Sequence, residues 1–135
     1  MNIVLSIILN VINFSVLFYL MPKVSVVVFL VFSLVTPIIY NVLLFIKRKN
    51  NFNTWIIMII LSSITTLAYI IFAYLLKVSN ILKVFIDYNT MNSGGLVVNI
   101  DENIASFSHI LFIMLVQLCA LFIVNNMLMR GDNND

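Results

Sequence analysis

The residues of this chain that could do chemistry are mostly uncharged, and they recur at helical spacing. Ser6, Asn10 and Asn13 fall at i, i+4 and i+7, on one face of a helix. Ser33, Pro37 and Asn41 repeat every four residues. Ser62, Ser63, Thr65 and Thr66 cluster, and Gln117 stands in a long apolar run. Hydroxyls and carboxamides set among Ile, Leu, Val and Phe have two uses: they bond helices to one another, or they line a polar cavity for a small solute. Bonding between helices is the expectation, with the polar cavity kept as the alternative.

Other chemistries lack their residues. No Ser/His/Asp set lies at one depth, no two carboxylates share an apolar run, and there is no glycine-rich phosphate loop. A metal needs converging ligands, and the one histidine, His109, and the one cysteine, Cys119, stand ten residues apart. His109 falls at the edge of an apolar run, where a neutral imidazole can meet water. Cys119 falls deep in one and reads as an unreactive packing residue. Arg130-Gly131-Asp132 spells an adhesion tripeptide but sits at the chain's end, and no role is assigned to it. The chain is therefore read as a non-enzyme, with no catalytic, cofactor-binding or metal-binding residues.

What must position the polar residues follows from composition. Of 135 residues, 63% are hydrophobic and 9% charged, against about 45–50% and about 25% in a soluble domain. One cysteine excludes a disulfide scaffold, and the hydrophobic content excludes disorder. A net charge of +2 gives no basic patch for nucleic acid. An integral membrane protein remains, with the lipid bilayer as its first partner.

A bilayer core about 30 Å thick takes roughly 20 helical residues. Four stretches supply them, at about 3–21, 24–46, 54–76 and 106–129. Pro22-Lys23 splits the first 46 residues into a tight hairpin, because proline lacks an N–H and disfavours helix in the residue before it. The runs are too long and uniform for barrel strands. The first is no signal peptide, having no basic start and no small-residue cleavage site. The expected fold is thus all-α: a single transmembrane domain over 1–135, with four helices in a small bundle.

Charges lie only between and beyond the spans. Lys47, Arg48, Lys49 and Arg130 flank one side; Lys23, Lys77 and Lys83 flank the other. The excess places both termini in the cytoplasm. The one large extramembrane segment, 77–105, opens with an amphipathic helix over Val78–Tyr88. There Val78, Ile81, Leu82, Phe85 and Ile86 oppose Ser79, Asn80, Lys83 and Asp87. Asn92-Ser93-Gly94-Gly95 reads as a turn. Asp101 reads as the N-cap of the fourth helix, with Glu102 beside it favouring the helix's positive end.

Folding the hairpin at Pro22-Lys23 sets Asn10 level with Ser33–Thr36. Pro37 is expected to kink the second helix and to free a carbonyl that Ser33 or Asn41 could meet. The spans contain no glycine, so a GxxxG dimer motif is ruled out, although a homo-oligomer is not.

The spacing of Leu5-Ser6, Asn10, Phe14 and Val16-Leu17 resembles that of a known family. The likeness continues through Leu34-Val35, Pro37-Ile38, Leu44-Phe45 and Lys47, then Thr54 and Ile56, and Ile110-Leu111-Phe112. The family is the Msa group, the "modulator of SarA" membrane proteins of low-GC Gram-positive bacteria. Ser6, Asn10, Pro37 and Lys47 carry the likeness, and the tail from Arg130 departs from it in not being basic. The resemblance implies a non-enzymatic, multi-pass protein of the cytoplasmic membrane that alters expression of a global virulence regulator.

Three function classes follow. The first is an accessory or regulatory protein that binds an unknown membrane or cytoplasmic partner or senses the envelope. Its expected contact surfaces are the Lys47–Asn53 loop, with Lys47, Arg48 and Lys49, and the Val78–Ala105 segment. The second is a small transporter or channel subunit using Asn10, Asn13, Asn41 and Gln117 as a path. The third is a bacteriocin immunity protein or holin.

Overall fold

The structure, a computed structural model, describes residues 2–47, 53–92 and 103–131. Among them are four helices long and apolar enough to cross a membrane: Ile3–Lys23, Val26–Ile46, Thr54–Val78 and Phe107–Arg130. The protein is an all-α, multi-pass membrane bundle, as composition and run lengths require. The first span is α1 (Asn2–Leu20), closed by a 3-10 turn at Met21–Lys23. The second is built in three parts: α2 (Val26–Leu30), a π turn (Val31–Val35) and α3 (Thr36–Ile46). The third is α4 (Thr54–Val78) and the fourth α6 (Phe107–Gly131), with α5 (Ile81–Asn92) between them.

The hairpin turn is longer than Pro22-Lys23 alone. After the 3-10 turn the backbone runs extended at Val24 and Ser25, so the second helix begins at Val26. There the Ser25 hydroxyl accepts from the Val28 N–H at 3.4 Å, satisfying one of the N–H groups that every helix start leaves open.

In the bundle α1 packs on α3 and α4, and so does α6. The remaining pair, α3 and α4, meet across the middle. The core has two apolar ends. Towards the hairpin turn, Phe14, Leu17, Met21, Tyr69, Phe72 and Leu76 pack together, with the Phe14 and Phe72 rings 5.2 Å apart. Towards the other end, Phe45, Met58, Leu61 and Leu121 form a second cluster. Ser6, Asn10, Tyr40, Asn41, Thr65 and Gln117 are buried as well. Outward, the helices present Val4, Ile8, Val11, Leu67, Ile71 and Ile123, all exposed. Polar groups inside and apolar groups outside are what a lipid solvent selects.

The third helix runs two residues past its expected end at Leu76, to Val78. The chain then breaks at Asn80, whose φ of 58° lies in the left-handed region that asparagine tolerates at helix ends. The amphipathic segment therefore becomes a separate helix starting at Ile81. Its Leu82 and Phe85 enter the hairpin-side core, and Lys83 and Asp87 stay exposed. Val78, expected on the apolar face, lies before the break and is exposed.

One residue of α5 that the periodicity did not mark locks it in place. The buried Asn89 carboxamide donates from Nδ2 to the Val24 carbonyl at 3.1 Å and accepts at Oδ1 from the Val26 N–H at 3.0 Å. It thus satisfies the extended turn between the first two spans. The expected turn at 92–95 and the proposed cap at Asp101 fall at or beyond the described residues. The fourth helix starts at Phe107 instead, and Ser106 caps it, accepting from the His109 N–H at 3.4 Å. Asn89→Ala leaves the Val24 carbonyl and Val26 N–H without these partners. It is expected to cost about 1–3 kcal/mol. Amide hydrogen exchange should rise over 81–92 while the spans stay protected.

Candidate functional site

Between the two apolar ends lies a layer of hydrogen-bonded side chains centred on Asn41. Asn41's partners Ser6, Thr65 and Gln117 lie 35, 24 and 76 residues from it in the sequence. Asn41 is wholly buried and bonds to all three other spans. Its Oδ1 accepts from the Ser6 hydroxyl at 3.2 Å, and its Nδ2 donates to Thr65 Oγ1 at 2.8 Å and to Gln117 Oε1 at 3.1 Å. The Tyr40 hydroxyl donates to Asn10 Oδ1 at 2.5 Å, and Asn10 Nδ2 donates back along its own helix to the Ser6 carbonyl at 2.9 Å. Each interhelical bond of this kind is worth about 0.6–2 kcal/mol.

Ser6, Asn10 and Asn41, marked by their spacing, and Gln117, marked by its apolar surroundings, are joined in one network. The partner of Asn10 differs from expectation: it is Tyr40, not a group at Ser33–Thr36. Side chains lean towards the N-terminus of their helix, so the long Tyr40 phenol reaches back along α3 to the level of Asn10. A mid-span tyrosine, whose buried hydroxyl needs a partner, was the signal that could have found it.

Asn13 and Pro37 belong to a second arrangement. In π register the N–H of residue i bonds to the carbonyl of i−5, and Thr36 N–H does so with Val31. The next residue in that register is Pro37, which has no N–H to give to Phe32. Asn13 supplies the donor from α1, its Nδ2 lying 2.9 Å from the Phe32 carbonyl. Neither Ser33 nor Asn41 meets this carbonyl: the Ser33 hydroxyl donates to Leu30 at 3.4 Å, and Asn41 belongs to the central layer.

Beside the layer, a groove of about 500 Å³ runs between α1 and α4. Asn10 and Ser15 are its polar lining, among apolar residues that include Val11, Phe14, Leu67 and Ile71. The Asn10 carboxamide is engaged inside the bundle, so the groove is an apolar surface.

Lys47 is exposed at the end of α3; Arg48 and Lys49 lie outside the described residues. His109 is exposed at the start of α6, its Nδ1 sharing a hydrogen bond with Ser106 Oγ at 2.5 Å. This Ser–His pair, which the sequence did not suggest, belongs to the helix cap. Cys119 is exposed on the outside of the bundle and does not pack in the core as expected, because α6 turns Gln117 and Leu121 inward. Among the described residues no group of three or more His, Cys, Asp or Glu could hold a metal ion.

Fold and layer together define the class, a small polytopic helical membrane protein with an uncharged polar interior. No family model, curated protein or solved structure matches the chain.

Asn41→Leu removes three bonds and leaves Ser6, Thr65 and Gln117 short of partners. At about 0.6–1.7 kcal/mol per bond, a loss of roughly 2–5 kcal/mol is expected in reversible unfolding from bicelles or nanodiscs. Cys119→Ala, on the outer face, should stay within about 0.5 kcal/mol in the same assay.

Proposed function

We propose that this protein is a non-enzymatic accessory element of the cytoplasmic membrane that acts by binding a partner at the ends of its bundle. Following the resemblance to the Msa group, the process it serves is expression of a SarA-type global virulence regulator and its targets in a Gram-positive cell. Both termini and the 47–53 loop face the cytoplasm in this reading. The supporting observation is that Asn10, Asn13, Asn41 and Gln117, the residues a solute path would use, are turned on one another or on backbone. An interior bonded in this way favours a scaffold over a conduit. What such a scaffold offers a partner is its surface outside the hydrocarbon, where Lys47 and the polar face of α5 are exposed.

Deletion with transcript profiling tests the reading. A changed set of transcripts, restored by the intact gene, is expected. Add-back of a chain in which Lys47, Arg48 and Lys49 are all neutral should fail to restore the transcripts, and a chain so changed that kept both its topology and its regulatory output would overturn the role given to the 47–53 loop. Unchanged transcripts on deletion would sink the regulatory role. Solute flux in liposomes that is lost with Asn10→Leu would turn the assignment to a small transporter or channel subunit.

A further inference from the structure

The central layer has two polar atoms that its own side chains do not satisfy. Gln117 Nε2 and Ser62 Oγ are buried and have no hydrogen-bond partner in the protein, although both residues are wholly enclosed. They belong to one neighbourhood. Ser62 stands one helical turn before Thr65 on the same face of α4, a spacing of about 5–6 Å. Thr65 and Gln117 share a single donor, the Asn41 Nδ2, at 2.8 and 3.1 Å. Both residues are therefore neighbours of the Asn41–Thr65 pair, Ser62 along α4 and Gln117 through its bond to Asn41.

The assignment of amide ends does not remove the open position. Exchanging N and O in Asn41 and Gln117 together preserves the contacts of Asn41 to Ser6, Thr65 and Gln117. One end of the Gln117 amide is still left without a partner. An amide end or hydroxyl unpaired at membrane depth costs several kcal/mol.

We propose that Ser62 and Gln117 form an internal binding site for a single water molecule bridging the third and fourth spans. Water suits the groups on both sides: it accepts from the amide N–H, and it can either donate to or accept from the hydroxyl. Buried waters characteristically occupy such places, bonded to protein groups that would otherwise be unpaired. An ion does not suit the site. No Asp, Glu, Lys or Arg lies near the middle of any span to balance its charge, and an uncompensated charge in hydrocarbon is strongly disfavoured. The water completes the layer, adding a bond between α4 and α6 to those that Asn41 makes.

The sequence allows a direct test, because Gln117 is the sole glutamine of the chain. The full-length protein, labelled with ¹⁵N in the glutamine side chain and reconstituted in phospholipid bilayers, gives one amide NH₂ signal in solid-state NMR. Magnetisation transfer from water to that signal is expected, with its loss in Ser62→Ala. Absence of transfer in the unsubstituted protein would overturn the site, and so would transfer that Ser62→Ala leaves unchanged. Helical content of Ser62→Ala equal to that of the unsubstituted protein by circular dichroism serves as the folding control.

Discussion

Hydrocarbon offers a polar side chain nothing to bond, and that constraint organises the whole bundle. A carboxamide in a span must find its partners on neighbouring helices or on backbone. Asn41 does so on three helices at once, through Ser6, Thr65 and Gln117. For one short side chain to touch them all, α3 must run beside α1, α4 and α6 together. It does: α3 packs on α1 and α6 and meets α4 across the middle. The apolar clusters at either end fill space, but lipid tails are as apolar as leucine and give little preference for one helix neighbour over another. Pairing specificity comes from the polar layer.

The sequence made the spans legible because run length and the absence of charge are read without knowing any neighbour. It also marked Ser6, Asn10, Asn13, Asn41 and Gln117, since an amide or hydroxyl in a long apolar run is conspicuous. Their pairings were not legible. Asn10 was levelled against Ser33–Thr36 by counting backbone from the turn, whereas Tyr40 reaches it by the length and lean of its side chain. Asn89 was hidden for a different reason. It takes the position after Phe85 and Ile86 on the apolar face of α5, and its role depends on an extended turn more than sixty residues earlier. Cys119 was misplaced because depth along a helix and direction around it are separate coordinates, and a uniformly apolar helix such as α6 reveals only the first.

The two ends of the molecule are built differently. At the hairpin end, α5 covers the core with Leu82 and Phe85 and is held by Asn89, and the Tyr69 hydroxyl reaches the Ile104 carbonyl at 2.9 Å. The segment entering the fourth span is thus fixed to the third. At the opposite end the described chain closes on Phe45, Met58 and Leu121, with Lys47 exposed beyond them. A partner docking at the hairpin end would meet a surface made from three connected pieces of chain. At the other end it would meet a short basic connection.

The π turn at Val31–Val35 sets the rotation of everything after it. A residue added to an α-helix turns the following side chains by about 100° about the axis, and a π turn takes up one extra residue without passing that rotation on. Asn41 points to the bundle axis because the π turn takes up that residue. The winding of the second span is therefore an angular setting, independent of its length as a measure of membrane thickness. Rewinding 31–35 as regular α-helix with all its residues kept would leave a span still long enough to cross, with its hub facing the wrong helices.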